Sequence, residues 1–426
     1  MIKWSGVNVK AVFAYLIGLL TCQNVMYAFK IGNTYINILY ILTMYIVGWH
    51  GIKNCERTIN YLNKWTKCFF AVILFSFFTA SIYTMVGVLD SISVYFKGLV
   101  SLFLGLSVYI STILLKEYKD KLICGLWHGF VINVIVSGLQ YIMFRNGSYF
   151  SLYRIFPQES FQVCTSWAIG QSGVVGTSAI FFYRASGMFL ETSYYLCYAA
   201  VMLLPLCVLV RKSVAKYFVI VLFYFFALYS ASGNIVVLIL LPIVWFVLKI
   251  KRGAKKESLK IKRKNIVAFL MLVLICIVVT QKMIRNVDWS SFNAMLNEGI
   301  RTARLSDKAN YTRFSTMFAA FSLIPKYPFG VGYNYSPMLL LHENGLAAVF
   351  NYFATISLEL SVVGLIVYAL SYISRIRKLF LIRTDLSMAL VFSLFSILVF
   401  QFANGIGLTS YVWTVLALCD LELKHL

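Results

Sequence analysis

The sequence predicts an all-α, polytopic integral membrane protein with about twelve transmembrane helices. Of the 426 residues, 61% are hydrophobic and only 12% are charged, whereas a soluble domain carries about 25% charged residues. Long apolar runs recur along the chain, and a helix needs about 20 apolar residues to cross the hydrocarbon. Basic residues cluster between alternate runs. These observations exclude a soluble enzyme and a disordered chain, and they predict one transmembrane domain over residues 1–426.

The predicted spans follow the apolar runs, each of which ends where charged or turn-forming residues begin. The runs at 215–231 and 407–420 are short, but the alternation of the flanking charges requires both of them. The twelve predicted spans are 11–29, 32–50, 67–87, 94–115, 122–144, 187–210, 215–231, 234–250, 265–282, 348–373, 386–403 and 407–420.

The distribution of basic residues predicts the orientation of these spans. The net charge is +23, and the chain contains 38 Lys and Arg residues. They concentrate in alternate segments such as 249–264 and 375–383, whereas the short segments 88–93 and 404–406 contain none. The positive-inside rule therefore predicts a multi-pass membrane protein with both termini in the cytoplasm. Membrane lipids account for the rest of the excess charge, and no nucleic-acid-binding motif is present in the sequence.

Two long segments, 145–186 and 283–347, fall on the outer face in this orientation. In the second, apolar residues recur every three or four positions over 289–300 and again over 314–321. This spacing predicts two amphipathic helices that lie at the outer membrane interface. A link rich in Pro and Gly, 325–332, then leads into the tenth span.

The first candidate site runs from Arg184 to Glu191, where the chain enters span six. A guanidinium can bind two phosphate oxygens at once, and a helix N-terminus also attracts anions. Two interpretations remain open: an anion-binding entrance to the helix bundle, or an interfacial Arg beside a Glu that caps the helix.

The second candidate site is a set of arginines in the large outer segment. Arg301 and Arg304 are three residues apart and share one helix face, and Arg313 lies near the start of the second amphipathic helix. They could bind lipid headgroups or a specific phosphate. The outer face lacks the strong negative potential of the cytoplasmic leaflet, which favours the specific phosphate.

The third candidate site is the pair His342 and Glu343, before span ten. A His can act as a general base near neutral pH, although a solvated loop residue is the simpler interpretation. Glu359 follows inside the span, where a charged side chain costs ~2.5–3.5 kcal/mol to insert and therefore indicates function. No Cys, His, Asp or Glu residues have the spacing of metal ligands, so neither a metal nor another cofactor is predicted.

Taken in order, these motifs resemble those of the O-antigen polymerase/ligase superfamily, and the Wzy-type polysaccharide polymerases in particular. The similarity covers spans six to ten and the large outer segment, while the first five spans match only in hydropathy. Many members carry an Arg after the Ser-x-Ser element, where this chain has Gly233 and Asn234. Ligases have a His-Asn pair closer to the span Glu than His342 is, which favours a polymerase. The similar motifs are Arg184 to Glu191, Ser230 to Ser232, Arg313, Pro328 to Gly332, and Glu359 to Gly364.

The resemblance implies metal-independent, inverting glycosyl transfer between undecaprenyl-pyrophosphate-linked oligosaccharides on the outer face of the bacterial cytoplasmic membrane. It implies a chain-length regulator and a flippase as partners. The alternatives are an O-antigen ligase and a lipid-linked oligosaccharide flippase or transporter. The resulting expectations are pyrophosphate binding by Arg184, Arg301, Arg304 and Arg313, general base action by Glu191, His342 or Glu343, and sugar stacking by Tyr194, Tyr195 and Tyr333.

Overall fold

The structure is a computed structural model of the chain. It describes residues 8–22, 27–31, 34–51, 60–145, 186–189, 192–228, 237–240, 242–245, 308–345, 349, 351–405 and 407–424. The described ranges consist of helices joined by turns and loops, together with one short two-stranded hairpin. The main helices are α1 (Val9–Thr21), α2 (Ile38–Ile46), α3 (Lys64–Met85), α4 (Ser93–Leu114), α5 (Lys119–Arg145), α6 (Thr192–Leu209), α7 (Val214–Leu228), α8 (Lys308–Leu323), α9 (Ser336–Asn344), α10 (Tyr352–Ile382), α11 (Asp385–Asn404) and α12 (Ser410–Lys424).

Six of the described helices, α3, α4, α5, α6, α10 and α11, are long and apolar enough to cross a membrane. The protein is therefore a helical membrane protein. The predicted amphipathic helix at 314–321 is confirmed as a helix and belongs to α8. The predicted span 265–282 and most of 234–250 lie outside the described residues, as does the predicted amphipathic helix at 289–300.

The first two predicted spans are wrong in extent. Instead of crossing as 11–29 and 32–50, the chain forms α1, an antiparallel hairpin of β1 (Tyr27–Ile31) and β2 (Thr34–Asn37), and then the nine-residue α2. The sequence between the two strands is Gly-Asn, a hairpin signal between runs of alternating polarity. Hydropathy averaged over a long window does not show that alternation, so the two predicted spans included the residues of the strands.

The chain divides into two compact units. The first comprises Met1–Gly129, Val201–Val210 and Lys308–Leu426. In it, α10 packs against α3 and α11, and α12 packs against α4. Helices α1 and α5 cross closely: a Cβ on Gly18 would lie 2.2 Å from the Leu122 carbonyl oxygen. Small residues at such crossings let membrane helices approach each other.

The second unit comprises Phe130–Ala200 and Arg211–Asp307. Its described core is aromatic. The rings of Phe189 and Tyr198 are 5.1 Å apart, and those of Phe130 and Phe223 are 5.3 Å apart. Tyr195 lies among them, fully buried, 5.9 Å from the ring of Phe223.

Candidate functional site

The centre of the candidate site in the first unit is a break in α10. Ser361 has φ 67° and ψ 177°, which interrupts the helix between residues 352–360 and 362–382. The rings of Tyr352 and Tyr368 are 5.7 Å apart, although a straight helix would separate residues sixteen positions apart by about 24 Å. The first half of α10 therefore folds back toward the second half. The predicted span 348–373 overlaps this helix, which is long and apolar enough to cross a membrane, is broken at Ser361 and continues to Ile382.

A break of this kind removes hydrogen bonds from helix carbonyls, and a neighbouring loop replaces them. The Val331 N–H donates to the Leu358 carbonyl at 3.0 Å, and the Gly332 N–H donates to the Glu359 carbonyl at 3.0 Å. Gly330, with φ 79°, lets the loop approach this closely. Buried backbone groups require such partners, so the loop and the break stabilise each other.

The side chain of Glu359 points from this break to the start of α9. Its Oε1 accepts hydrogen bonds from the Ser336 Oγ at 2.7 Å and from the Ser336 backbone N–H at 3.2 Å. Ser336 has no exposed surface and Glu359 is 3% exposed. A carboxylate at a helix N-terminus is favoured by the helix dipole. Glu359 is therefore a buried acidic group with defined partners.

The other end of α9 carries an exposed ion pair. The Glu343 Oε1 accepts from the Lys326 Nζ at 2.7 Å and from the Tyr327 hydroxyl at 3.0 Å. These two hydrogen bonds, with Lys326 contributing more, lower the pKa of the Glu343 carboxyl below its ordinary value. The stabilisation from this ion pair is therefore fully present at pH values above the pKa of an unpaired Glu. It is lost as the pH falls through the lowered pKa of Glu343 in the folded protein. At neutral pH, Glu343 is an ionised, weakly basic group.

The structure places the remaining predicted residues of the first unit around α9. His342 is exposed in the last turn of α9. Tyr333 is partly buried, its backbone N–H donates to the Ser76 Oγ at 3.2 Å, and its ring lies close to Gly98. Arg313 belongs to α8, but its side chain is outside the described part of the structure.

In the second unit, the turn before α6 is held by two buried amides of α5. The Gln140 Oε1 accepts from the backbone N–H groups of Ser186 and Gly187 at 3.1 and 3.2 Å. The Asn133 Oδ1 accepts from the Met188 N–H at 2.8 Å. Seven residues separate Asn133 from Gln140, so the two share a helix face. This spacing of polar residues within an apolar run is the sequence signal that could have revealed them.

Four of the predicted site residues lie outside the described residues: Arg184, Glu191, Arg301 and Arg304. The two predicted tyrosines of α6 are described. Tyr194 is partly exposed, whereas Tyr195 is enclosed by the aromatic core. Stacking of a sugar on Tyr195 would require that core to open.

The strongest polar cluster within the first unit was not predicted. The Arg375 Nε and Nη2 donate to the Asp420 Oδ1 and Oδ2 at 2.9 and 2.6 Å. The Tyr109 hydroxyl also donates to the Asp420 Oδ2. The Arg375 Nη1 donates to the Thr66 Oγ1 and to the Ser371 carbonyl. The prediction that Arg375 belongs to a cytoplasmic loop is wrong, because its side chain is fully buried in α10. With four hydrogen bonds from Arg375 and one from Tyr109, the cluster holds these helices together.

Comparison of the chain with models of known protein families gives no match, and comparison with curated proteins gives no significant match either. Among the described residues, no group of three His, Cys, Asp or Glu side chains could hold a metal ion. The sequence motifs and the geometry within each unit therefore indicate what the protein does.

Proposed function

We propose that the protein is a polysaccharide polymerase of the bacterial cytoplasmic membrane. It joins undecaprenyl-pyrophosphate-linked repeat units by metal-independent glycosyl transfer on the outer face. The proposal includes twelve spans, cytoplasmic termini, and a chain-length regulator and a flippase as partners. One observation carries it: Gly332, the last residue of the motif 328–332, donates a backbone hydrogen bond to the carbonyl of Glu359, the first residue of the motif 359–364. Motifs distant in sequence that meet at a buried acid are expected of a site.

The chemistry of this reaction explains the types of residue at the candidate sites. The leaving group is a pyrophosphate, so donors must stabilise negative charge that develops on it. Arg184, Arg301, Arg304 and Arg313 are proposed for that role. The acceptor hydroxyl needs a base, for which His342 is the most accessible described candidate, because Glu343 is already engaged by Lys326.

A flippase or transporter is the second candidate, and the break in α10 favours it. Transporters often bind ions at broken helices, where unwound carbonyls face a cavity. Here the carbonyls of Leu358 and Glu359 accept bonds from the backbone of Val331 and Gly332 instead. Because each of these oxygens already accepts a backbone hydrogen bond, it is less available to an ion than an unwound carbonyl that faces a cavity, and we favour the polymerase.

Deletion of the gene tests the proposal directly. We expect lipid-linked glycans from the deletion strain to consist of single repeat units, and we expect polymer to return when the wild-type chain is restored. The measurement is mass spectrometry of the lipid-linked glycans. Full-length polymer that fails to reach its lipid acceptor would identify a ligase. Repeat units that stay on the cytoplasmic side would identify a flippase.

Glu343→Gln distinguishes the two described candidates for the general base. Losing a positioned base typically lowers a rate by about 10²–10⁴, whereas losing an exposed ion pair changes it by less than about fivefold. We expect His342→Gln to show the large loss and Glu343→Gln the small one. The measurement is the initial rate of polymer formation in membranes with matched expression. The reverse order would make Glu343 the base.

A further inference from the structure

Helix α9 is fixed at both ends by carboxylates. At its start, Ser336 donates two hydrogen bonds to Glu359, and at its end, Glu343 binds Lys326 and Tyr327. Residues with positive φ flank the helix, namely Asn334 at 72° and Gly345 at 67°. Each marks a change of chain direction. The orientation of α9 therefore depends on these bonds and on its packing, since no helix among the described residues continues it.

The two ends differ greatly in burial. The side chains of Lys326 and Glu343 are 55% and 21% exposed, so water and salt weaken their attraction. Ser336 and Glu359 are buried, and a hydrogen bond is stronger where water is excluded. The buried end therefore contributes most to holding α9 in place.

The exposed face of α9 carries the accessible base. His342 is exposed, while Leu340, two positions earlier and on the far side of the helix, is buried. A rotation or lift of α9 would move His342 without unfolding any membrane span. The position of His342 is therefore set by how firmly α9 is attached at Ser336.

We propose that Glu359 is a positioning residue: its carboxylate attaches α9 to the broken end of α10 and thereby holds His342 toward the acceptor hydroxyl. The role of His342 rests on the proposed function, whereas the attachment of α9 does not. Glu359 touches α9 and is not required to touch substrate. Its effect on the reaction passes through Ser336.

Hydrogen exchange of the full chain in lipid nanodiscs tests the attachment. Ser336→Ala removes the shorter bond, and Glu359→Gln keeps an acceptor oxygen while removing the charge. We expect each variant to accelerate amide exchange over 336–344 by about tenfold or more, with no change over 385–404. Lys326→Gln is the matched control at the exposed end, and we expect it to change exchange by less than about threefold.

Two exchange results would overturn the attachment. One is wild-type exchange over 336–344 in both Ser336→Ala and Glu359→Gln. The other is an equal acceleration over 336–344 and 385–404, which would make Glu359 a general stability residue of the unit.

A double-mutant comparison tests the positioning role. If Glu359 acts through His342, then His342→Gln should lower polymer formation strongly in the wild-type background and little further in Glu359→Gln. Independent, multiplying losses would overturn the role. If the wild-type chain makes no polymer at all, the proposed function fails, and the exchange experiment still decides whether Glu359 attaches α9.

Discussion

Asp420→Asn should greatly reduce the thermal stability of the protein. The substitution keeps the shape of the side chain but leaves the guanidinium of Arg375 buried without a counter-charge. Removing one partner of a buried ion pair costs about 3–5 kcal/mol, a large part of the roughly 5–15 kcal/mol that stabilises a typical protein. The measurement is the fraction of detergent-extracted protein that remains monodisperse after heating, followed by size-exclusion chromatography.

Two variants control for this effect. Arg377 is exposed on the same helix, so Arg377→Gln should leave the melting temperature nearly unchanged. The double substitution Arg375→Met and Asp420→Leu should recover part of the loss, because apolar residues often replace a buried pair without destabilisation. If Asp420→Asn had the same melting temperature as Arg377→Gln, the Arg375–Asp420 pair would contribute nothing to the stability of the helix packing.

Gly330→Ala should abolish the candidate site in α10. A Cβ on Gly330 would lie 2.4 Å from the Glu359 carbonyl oxygen and 2.7 Å from its carbonyl carbon. Both are backbone atoms, so no side-chain rotation relieves the overlap. The loop must then retreat, and each carbonyl left without a partner costs about 1–3 kcal/mol. We expect loss of polymer together with faster hydrogen exchange in the first half of α10.

Gly87 provides a matched control for this substitution. Its φ of 78° is nearly the same as the 79° of Gly330, but nothing lies within 4 Å of the added Cβ. Gly87→Ala therefore carries only the cost of a left-handed backbone, about 1–2 kcal/mol. The difference between the two variants measures the close contact with Glu359 alone. Equal loss of polymer in both would mean that the backbone conformation, and not this contact, matters.

Part of the fold follows from the sequence. The boundaries of α3, α4 and α11 lie within a few residues of the predicted spans, because long and uniformly apolar runs leave a helix as the only way to satisfy the backbone in lipid. The helix α8 was predicted from its three- and four-residue spacing, which is also a local property. The membrane class of the protein was determined in the same way by composition.

The candidate site was predicted only in pieces. His342 and Glu343 were identified by their chemistry, and Glu359 by its position in an apolar run. The sequence did not show that Ser336 would bind Glu359. It also did not show that Lys326 would engage Glu343, because a pairing of charges depends on how the intervening turn folds.

The break in α10 and the burial of Arg375 were decided by tertiary structure alone. Neither Gly nor Pro occupies position 361, so no local signal ends the helix there, and the break persists because the loop at 330–332 supplies the missing hydrogen bonds. The residues that follow Arg375 are rich in basic side chains, as in a cytoplasmic loop. Arg375 is nevertheless buried, because it forms an ion pair with Asp420, which is distant in sequence. Hydropathy measures the transfer of each residue into lipid on its own. A buried polar group is stable only with partners, and the folded chain alone determines which residues those are.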